Sequence, residues 1–223
     1  MTANAHQVPG NSSLSALAEY APAAGMGENS QDLLRIVRIN EQIKSVVAVA
    51  FKINIMALNA IFLAKRAGSA ALGFGVLSNE LRVFSQDLRT RMESLRQVIH
   101  ACVIEVSQLL RHSRHSRLLQ DGFQLSGGDG RLDAVLQRRA QEAGARQEEL
   151  ASLRRQLKLA LEDAFQLVEL GGVLAKSAKI EAAYGQSFAA SLAQVSGEFD
   201  GIVEEIRVSL ENLKKSNFFG GRR

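Results

Sequence analysis

Chemistry in this chain would have to come from a few places. The densest is Arg111-His-Ser-Arg-His-Ser-Arg117, where His112 and His115 stand three residues apart and can share one helix face. A metal ion would need three or four donors in tetrahedral reach, and no further ligand stands nearby at a matching spacing. The tract is therefore expected to be a solvated basic helix end, where cations meet the negative pole of the helix dipole; docking to an acidic surface is the alternative. Asp121-Gly-Phe-Gln-Leu-Ser-Gly-Gly-Asp-Gly130 holds four glycines. A phosphate loop needs Gly-Lys-Ser/Thr after a strand; both are missing, so this stretch reads as a plain loop. Cys102, the single cysteine, excludes an internal disulfide. Its place on an apolar row makes it a small core residue, with a reactive thiol as the alternative. There is no nucleophile–base pair, carboxylate cleft, metal set or cofactor loop, so the expectation is no enzyme, no catalytic residue, no cofactor and no metal.

The elements that carry these residues follow from composition. The 223 residues are 46% hydrophobic but only 5% aromatic, without Trp, a mixture that favours aliphatic helix packing. Both prolines, Pro9 and Pro22, lie near the N-terminus, so long uninterrupted helices are permitted beyond them. The net charge of +4 is spread among interleaved acids and bases; an acidic partner is allowed and nucleic acid is not demanded. No leader pattern opens the chain, and the apolar run 46–63 is interrupted by Lys52, Asn54 and Asn59. The expectation is a soluble, cytoplasmic protein without a membrane span.

Residues 1–30 carry both prolines and scattered glycines and read as a flexible tail, with one or two helical turns at Leu14-Ser-Ala-Leu-Ala-Glu-Tyr20. Then Ile36, Asn40, Ile43, Val47, Ala50, Asn54, Ala57, Ile61 and Ala64 recur at alternating steps of four and three, a coiled-coil seam. Phe51, Ile55, Leu58 and Phe62 form a second apolar row, which calls for neighbours on more than one side. A small-residue turn around Gly68 leads to a return arm with its own seam from Leu77 to Leu109. The expected parts are a hairpin over 31–118, a glycine-rich loop over 119–130, a second hairpin over 131–217 turning at Gly185, and a frayed tail over 218–223. The fold class is all-α: long antiparallel hairpins forming a coiled-coil-like four-helix bundle, with a dimer of paired hairpins as the competing arrangement. A shift of 118 residues lays the second hairpin on the first, matching Ala57, Ala60 and Ala64 to Ala175, Ala178 and Ala182; heptad periodicity alone would produce part of this match.

Ala57-Leu-Asn-Ala60, Arg66-Ala-Gly68, Gly73-Phe74, Val76 and Glu80-Leu-Arg82 lie in one ungapped frame. This frame resembles the cytoplasmic hairpin tip of the methyl-accepting chemotaxis proteins over about residues 45–95. The resemblance implies that Phe51, Ile55, Leu58, Asn59, Leu63, Arg66 and Val76 join receptors to one another. It also implies that Gly68, Ser69, Leu72 and Val76 touch a histidine kinase and its coupling protein. The family carries Glu where this chain has Leu63 and Ser69, and Arg where it has Leu72, so the charge-assisted bonds of those groups are lost. The tip becomes a more apolar knob that either docks on a partner or packs against the second tip. There, Lys179-Ile-Glu-Ala-Ala183 is similar to the family's Glu-Ala-Ala segment and puts Glu181 at the position of Leu63, with Tyr184 beside it. Glu148-Glu149 vaguely resembles a methylation site but is too near the second tip, and reads as a solvated helix face. The expectation is a non-enzymatic chemoreceptor-like signalling protein whose partners are a kinase, a coupling protein, other chemoreceptors or its own copies. The alternative is a coiled-coil scaffold in a pilus, secretion or cell-pole complex.

Overall fold

The computed structural model describes residues 22–125, 130–216 and 218, with side chains from 30 to 125 and from 132 onward. Four long helices follow one another: α1 (Pro22–Ala67), α2 (Leu72–Leu125), α3 (Gly130–Ala182) and α4 (Ala189–Lys214). Among the described residues there is no strand. One-turn 3₁₀ segments, Gly68–Ala71 and Gln186–Phe188, make the two tips. Each helix packs on the next, and α4 packs back on α1, so one chain closes a four-helix bundle. Cross-links such as Arg91 to Asp163 (3.7 Å) and Arg146 to Glu105 (3.2 Å) fix the antiparallel order of α2 and α3.

Half of the expected α1 seam is buried: Ile36, Ile43, Ala50, Ala57 and Ala64 face the core. Asn40, Val47, Asn54 and Ile61 are only half-buried, and the positions one residue before each of them take their place, because the alternating step runs three then four. Ile36, Ile39, Ile43, Val46, Ala50, Ile53, Ala57, Ala60 and Ala64 of α1 enter one continuous core with the facing rows of the other helices. Alanines dominate near the tips and let the backbones approach closely, while leucines and isoleucines fill the layers below. Ile39, Ile43, Leu95, Leu157, Leu161 and Leu213 line one such layer. In that layer Ile39 pairs with Leu157, Ile43 with Leu161 and Leu95 with Leu213, all at the offset of 118. The same offset joins buried Phe74 to Leu192, Ser78 to Ser196, Leu81 to Phe199 and Met92 to Leu210. It also joins the two positive-φ residues, Gly68 (65°) and Gln186 (49°). The second hairpin thus occupies the place that a symmetry mate would fill.

The fully buried hydroxyls of Ser78, Ser85 and Ser196 are satisfied, as a low-dielectric interior requires. Ser85 donates to the Ala50 carbonyl across the first hairpin at 2.7 Å, and Ser78 donates to the Phe74 carbonyl at 2.7 Å. One packing detail breaks the symmetry. The Phe84 ring lies against Gly171, where a Cβ would stand only 2.5 Å from the ring; the equivalent positions hold Ile202 and Ile53.

Three boundaries differ from the sequence expectation. Helix α1 begins at Pro22, inside the expected 1–30 tail, because proline is well suited to a first turn that needs no N–H bond. Helix α2 continues to Leu125, so the expected loop 119–130 is helical over its first half; the single Gly122 costs about 1 kcal/mol against Ala, too little to stop a long helix. Phe218, expected in a frayed tail, is 1% exposed, because α4 ends at Lys214 and the Phe218 ring beyond it packs into the common core. The turns expected at Leu14-Ser-Ala-Leu-Ala-Glu-Tyr20 lie outside the described residues, as do 126–129.

Candidate protein-contact surface at the first tip

The seam of α1 faces the core, and the row Phe51, Ile55, Leu58 and Phe62 lies well round the helix from it. All four remain exposed, Phe62 at 65%. On α2, Leu72 and Val76 are 70% and 63% exposed, and Val83 lies one heptad beyond Val76. The guanidinium of Arg89 on α2 sits over the Phe51 ring, 5.9 Å from its centroid. That contact ties the α1 row to the outer face that α1 and α2 share. Seven large apolar side chains are thus exposed along α1 and α2, and clusters of this kind mark contact surfaces.

The positions implied by the resemblance divide in two. Phe51, Ile55, Leu58, Asn59, Arg66, Gly68, Ser69, Leu72 and Val76 are all exposed, whereas Leu63 is half-buried against the core. The first tip does not bury its apolar side chains on the second, since Phe62 and Leu72 both remain largely in solvent. Glu181 of the second tip is half-buried, and its carboxylate lies against Gly73 of α2, in space that a Cβ at 73 would need. Tyr184 projects outward, 69% exposed. Sequence reasoning left Phe62 and Val83 off the contact set; the four–three spacing of the α1 row and the seven-residue step from Val76 were the signals for them.

The face made by α3 and α4 is mixed: Leu170, Val173 and Ile180 are exposed there, but they stand among ion pairs. Arg207 bonds Glu204 at 2.6 Å and also pairs with Glu211, while Lys179 reaches Asp200 at 3.5 Å. The hydrogen bond from Arg207 holds the Glu204 carboxyl below its usual range, and Glu204 in turn raises the Arg207 pKa. The opposite charges on this face satisfy one another.

The remaining chemical candidates stay quiet. His112 and His115 lie within α2, about three turns before its end, and not at the helix terminus as expected. Among the described residues no group of three His, Cys, Asp or Glu side chains could hold a metal. Cys102 is fully buried, and burial pushes its thiol up to about 11, which suits a core residue and not a nucleophile. Glu148 and Glu149 both stand in solvent. One window within Ser30–Leu125 is long and apolar enough to cross a membrane by length and composition, and 33% of it is buried in the bundle.

No protein-family model matches the chain, and no solved structure matches it. A stretch of 109 residues is 31% identical to the methyl-accepting chemotaxis protein McpG of Pseudomonas putida, covering 45% of this chain. The chain spans 16% of that relative's length. What this chain shares with a chemotaxis receptor is therefore one segment, similar in sequence, set here in a bundle closed by a single polypeptide.

Proposed function

We propose that this chain is a non-enzymatic, chemoreceptor-like signalling protein that works by protein contact at the first tip, as an accessory or divergent transducer in a chemosensory-type pathway. The observation that carries the reading is the apolar face of Phe51, Ile55, Leu58, Phe62, Leu72 and Val76, which is exposed among the described residues. The partial similarity to a methyl-accepting chemotaxis protein supports the pathway. In this reading the hairpin over 31–118 is the working part, the hairpin over 131–217 completes its bundle, and the site of action is the cytoplasm. The partners are a chemotaxis histidine kinase, its coupling protein, other chemoreceptors or further copies of the chain.

The test is capture of purified kinase and coupling protein from the same cells by the full chain. Binding that is lost in Phe62→Glu and Val76→Glu supports the proposal. Absence of binding, with capture gained by the triple substitution Leu63→Glu, Ser69→Glu and Leu72→Arg, would overturn it for the native protein. A second reading, a coiled-coil scaffold in another assembly, is favoured by one observation: Leu72 is 70% exposed where the family carries a charged group. Capture of pilus, secretion or cell-pole components in place of the kinase would select that reading.

A further inference from the structure

Helix α4 has 26 residues, whereas α2 and α3 have 54 and 53. Beyond Lys214 the described part of the bundle is formed by α1, α2 and α3, and Phe218 is the side chain described next to their core at that level. Its ring is 1% exposed and lies under the Arg154 guanidinium of α3, 4.8 Å from carbon to centroid. Arg154 pairs with Asp32 of α1, and Asp32, 4% exposed, also accepts from Arg35 at 3.1 Å. This chain of contacts joins the segment after α4 to α3 and then to α1, two helices that stand diagonally across the bundle.

Beyond this point fewer of the described side chains are buried. Past Asp32, Val106 and Leu150 the buried apolar side chains among the described residues are Leu109 and Leu136. Gln108 Oε1, His112 Nδ1 and Ser113 Oγ are buried there without a hydrogen-bond partner. Few apolar contacts and unsatisfied polar atoms are the marks of a segment that opens before the rest of a fold. The tip half carries the opposite marks, with its seam alanines fully buried and its serine hydroxyls bonded.

We propose that Phe218, Arg154 and Asp32 form a releasable clasp at the base of the bundle, so that the base opens locally while the tip half stays folded. Without Arg154, the buried Asp32 carboxylate keeps only its Arg35 partner within α1, and without Phe218 the Arg154 guanidinium loses its aromatic floor, so loss of one contact weakens the other. The clasp gives the bundle a moving end remote from the first tip. This inference does not depend on the pathway proposed above.

Cys102 supplies the probe. It is the single cysteine, is fully buried, and sits close enough to the clasp for the Arg154 charge to act on its thiol. The experiment measures alkylation of the full chain by a maleimide, together with amide hydrogen exchange along α1 and α2. Phe218→Ala should speed alkylation by about 10- to 100-fold, with exchange near Ala57 and Ala60 changed by less than about two-fold. Phe218→Trp, which keeps an aromatic floor for Arg154, should stay within about three-fold of the native rate. Asp32→Asn should behave like Phe218→Ala; if it fails to fold, the two Phe218 variants decide. Unchanged alkylation in Phe218→Ala would overturn the clasp, and so would equal acceleration of exchange at the tip, which would make Phe218 a part of the global core.

Discussion

At positions 51, 55, 58 and 62 the first hairpin carries Phe, Ile, Leu and Phe; at the offset of 118 the second carries Glu169, Val173, Lys176 and Ile180. On the return arms, Leu72, Val76 and Val83 face Ala190, Gln194 and Gly201 in the same comparison. One arginine position shows the divergence most clearly. Arg89 lies over the Phe51 ring, while its equivalent, Arg207, pairs with Glu204 and Glu211. The cores of the two hairpins match at most layers, yet their outer faces do not. Core packing needs only volume and periodicity, so both hairpins keep it. The face is set by what covers it: water suits the ion pairs of α3 and α4, and only another apolar surface suits the row on α1 and α2.

The largest expected effect comes from erasing this difference. Phe51→Glu with Leu58→Lys copies the second hairpin's pattern onto the first. It should weaken partner capture by about 100-fold, since buried aromatic and aliphatic anchors dominate such interfaces, and leave the unfolding midpoint within about 2 °C of native because all the altered side chains are exposed. The converse pair, Glu169→Phe with Lys176→Leu, should create a second sticky face, read as larger species by light scattering. If the first pair leaves capture intact, the apolar row is not the contact.

Cys102 belongs to the first hairpin alone, and it confines an alkaline sensitivity to that side. Burial holds its proton to about pH 11, while in the unfolded chain it leaves near the ordinary value of 9.0. The folded state therefore binds more protons than the unfolded one between these values. The stability this contributes is full below pH 9 and is lost as pH rises through about 11, by an amount on the order of 2–3 kcal/mol. Urea midpoints measured across that interval should fall, and Cys102→Ala should flatten this part of the slope.

A third contrast lies inside the core. Phe84 fits over Gly171, whereas the equivalent pair is Ile202 and Ile53. Gly171→Ile should overpack the Phe84 ring and cost about 1–3 kcal/mol. Phe84→Ile alone should leave a void of similar cost. Together they reproduce the second pair, and a double-mutant cycle should show recovery to within about 1 kcal/mol of native. Additive losses would mean that the two halves of the core are not interchangeable at this layer.

Much of this architecture is written locally. The heptad repeat of Ile36, Ile43, Ala50, Ala57 and Ala64 dictates a buried seam, although its second half falls on Ile39, Val46, Ile53 and Ala60 and not on the residues after them. The small residues around Gly68 dictate a turn; seam and turn both depend on neighbours within a few residues. The starts and stops are less legible, because a helix tolerates Pro22 in its first turn and Gly122 near its end. Contacts set by distant segments were not legible at all. Phe218 is buried only because α4 stops short, and Gly171 is required only because Phe84 arrives from another helix. The second row of α1 was visible as apolar, but its spacing called for a neighbouring helix. Helix α1 has two such neighbours, and the row faces neither.

The tips give the smallest effect and the sharpest sign. Gly68 has φ 65° with open space where a Cβ would stand, so Gly68→Gln meets only the backbone cost of the left-handed region, about 1 kcal/mol. Gln186 already bears that cost at φ 49°. Gln186→Gly should relieve it, offset in part by the greater freedom of glycine in the unfolded chain, for a net gain of about 0.5 kcal/mol. Gly185 is no substitute, because its own φ is negative and a Cβ there would strike Leu192. Thermal unfolding of the two single variants should therefore move in opposite directions. If both lose stability, the exposed Gln186 side chain is holding the second tip by contacts of its own. The two turns would then share a backbone path without sharing a cause.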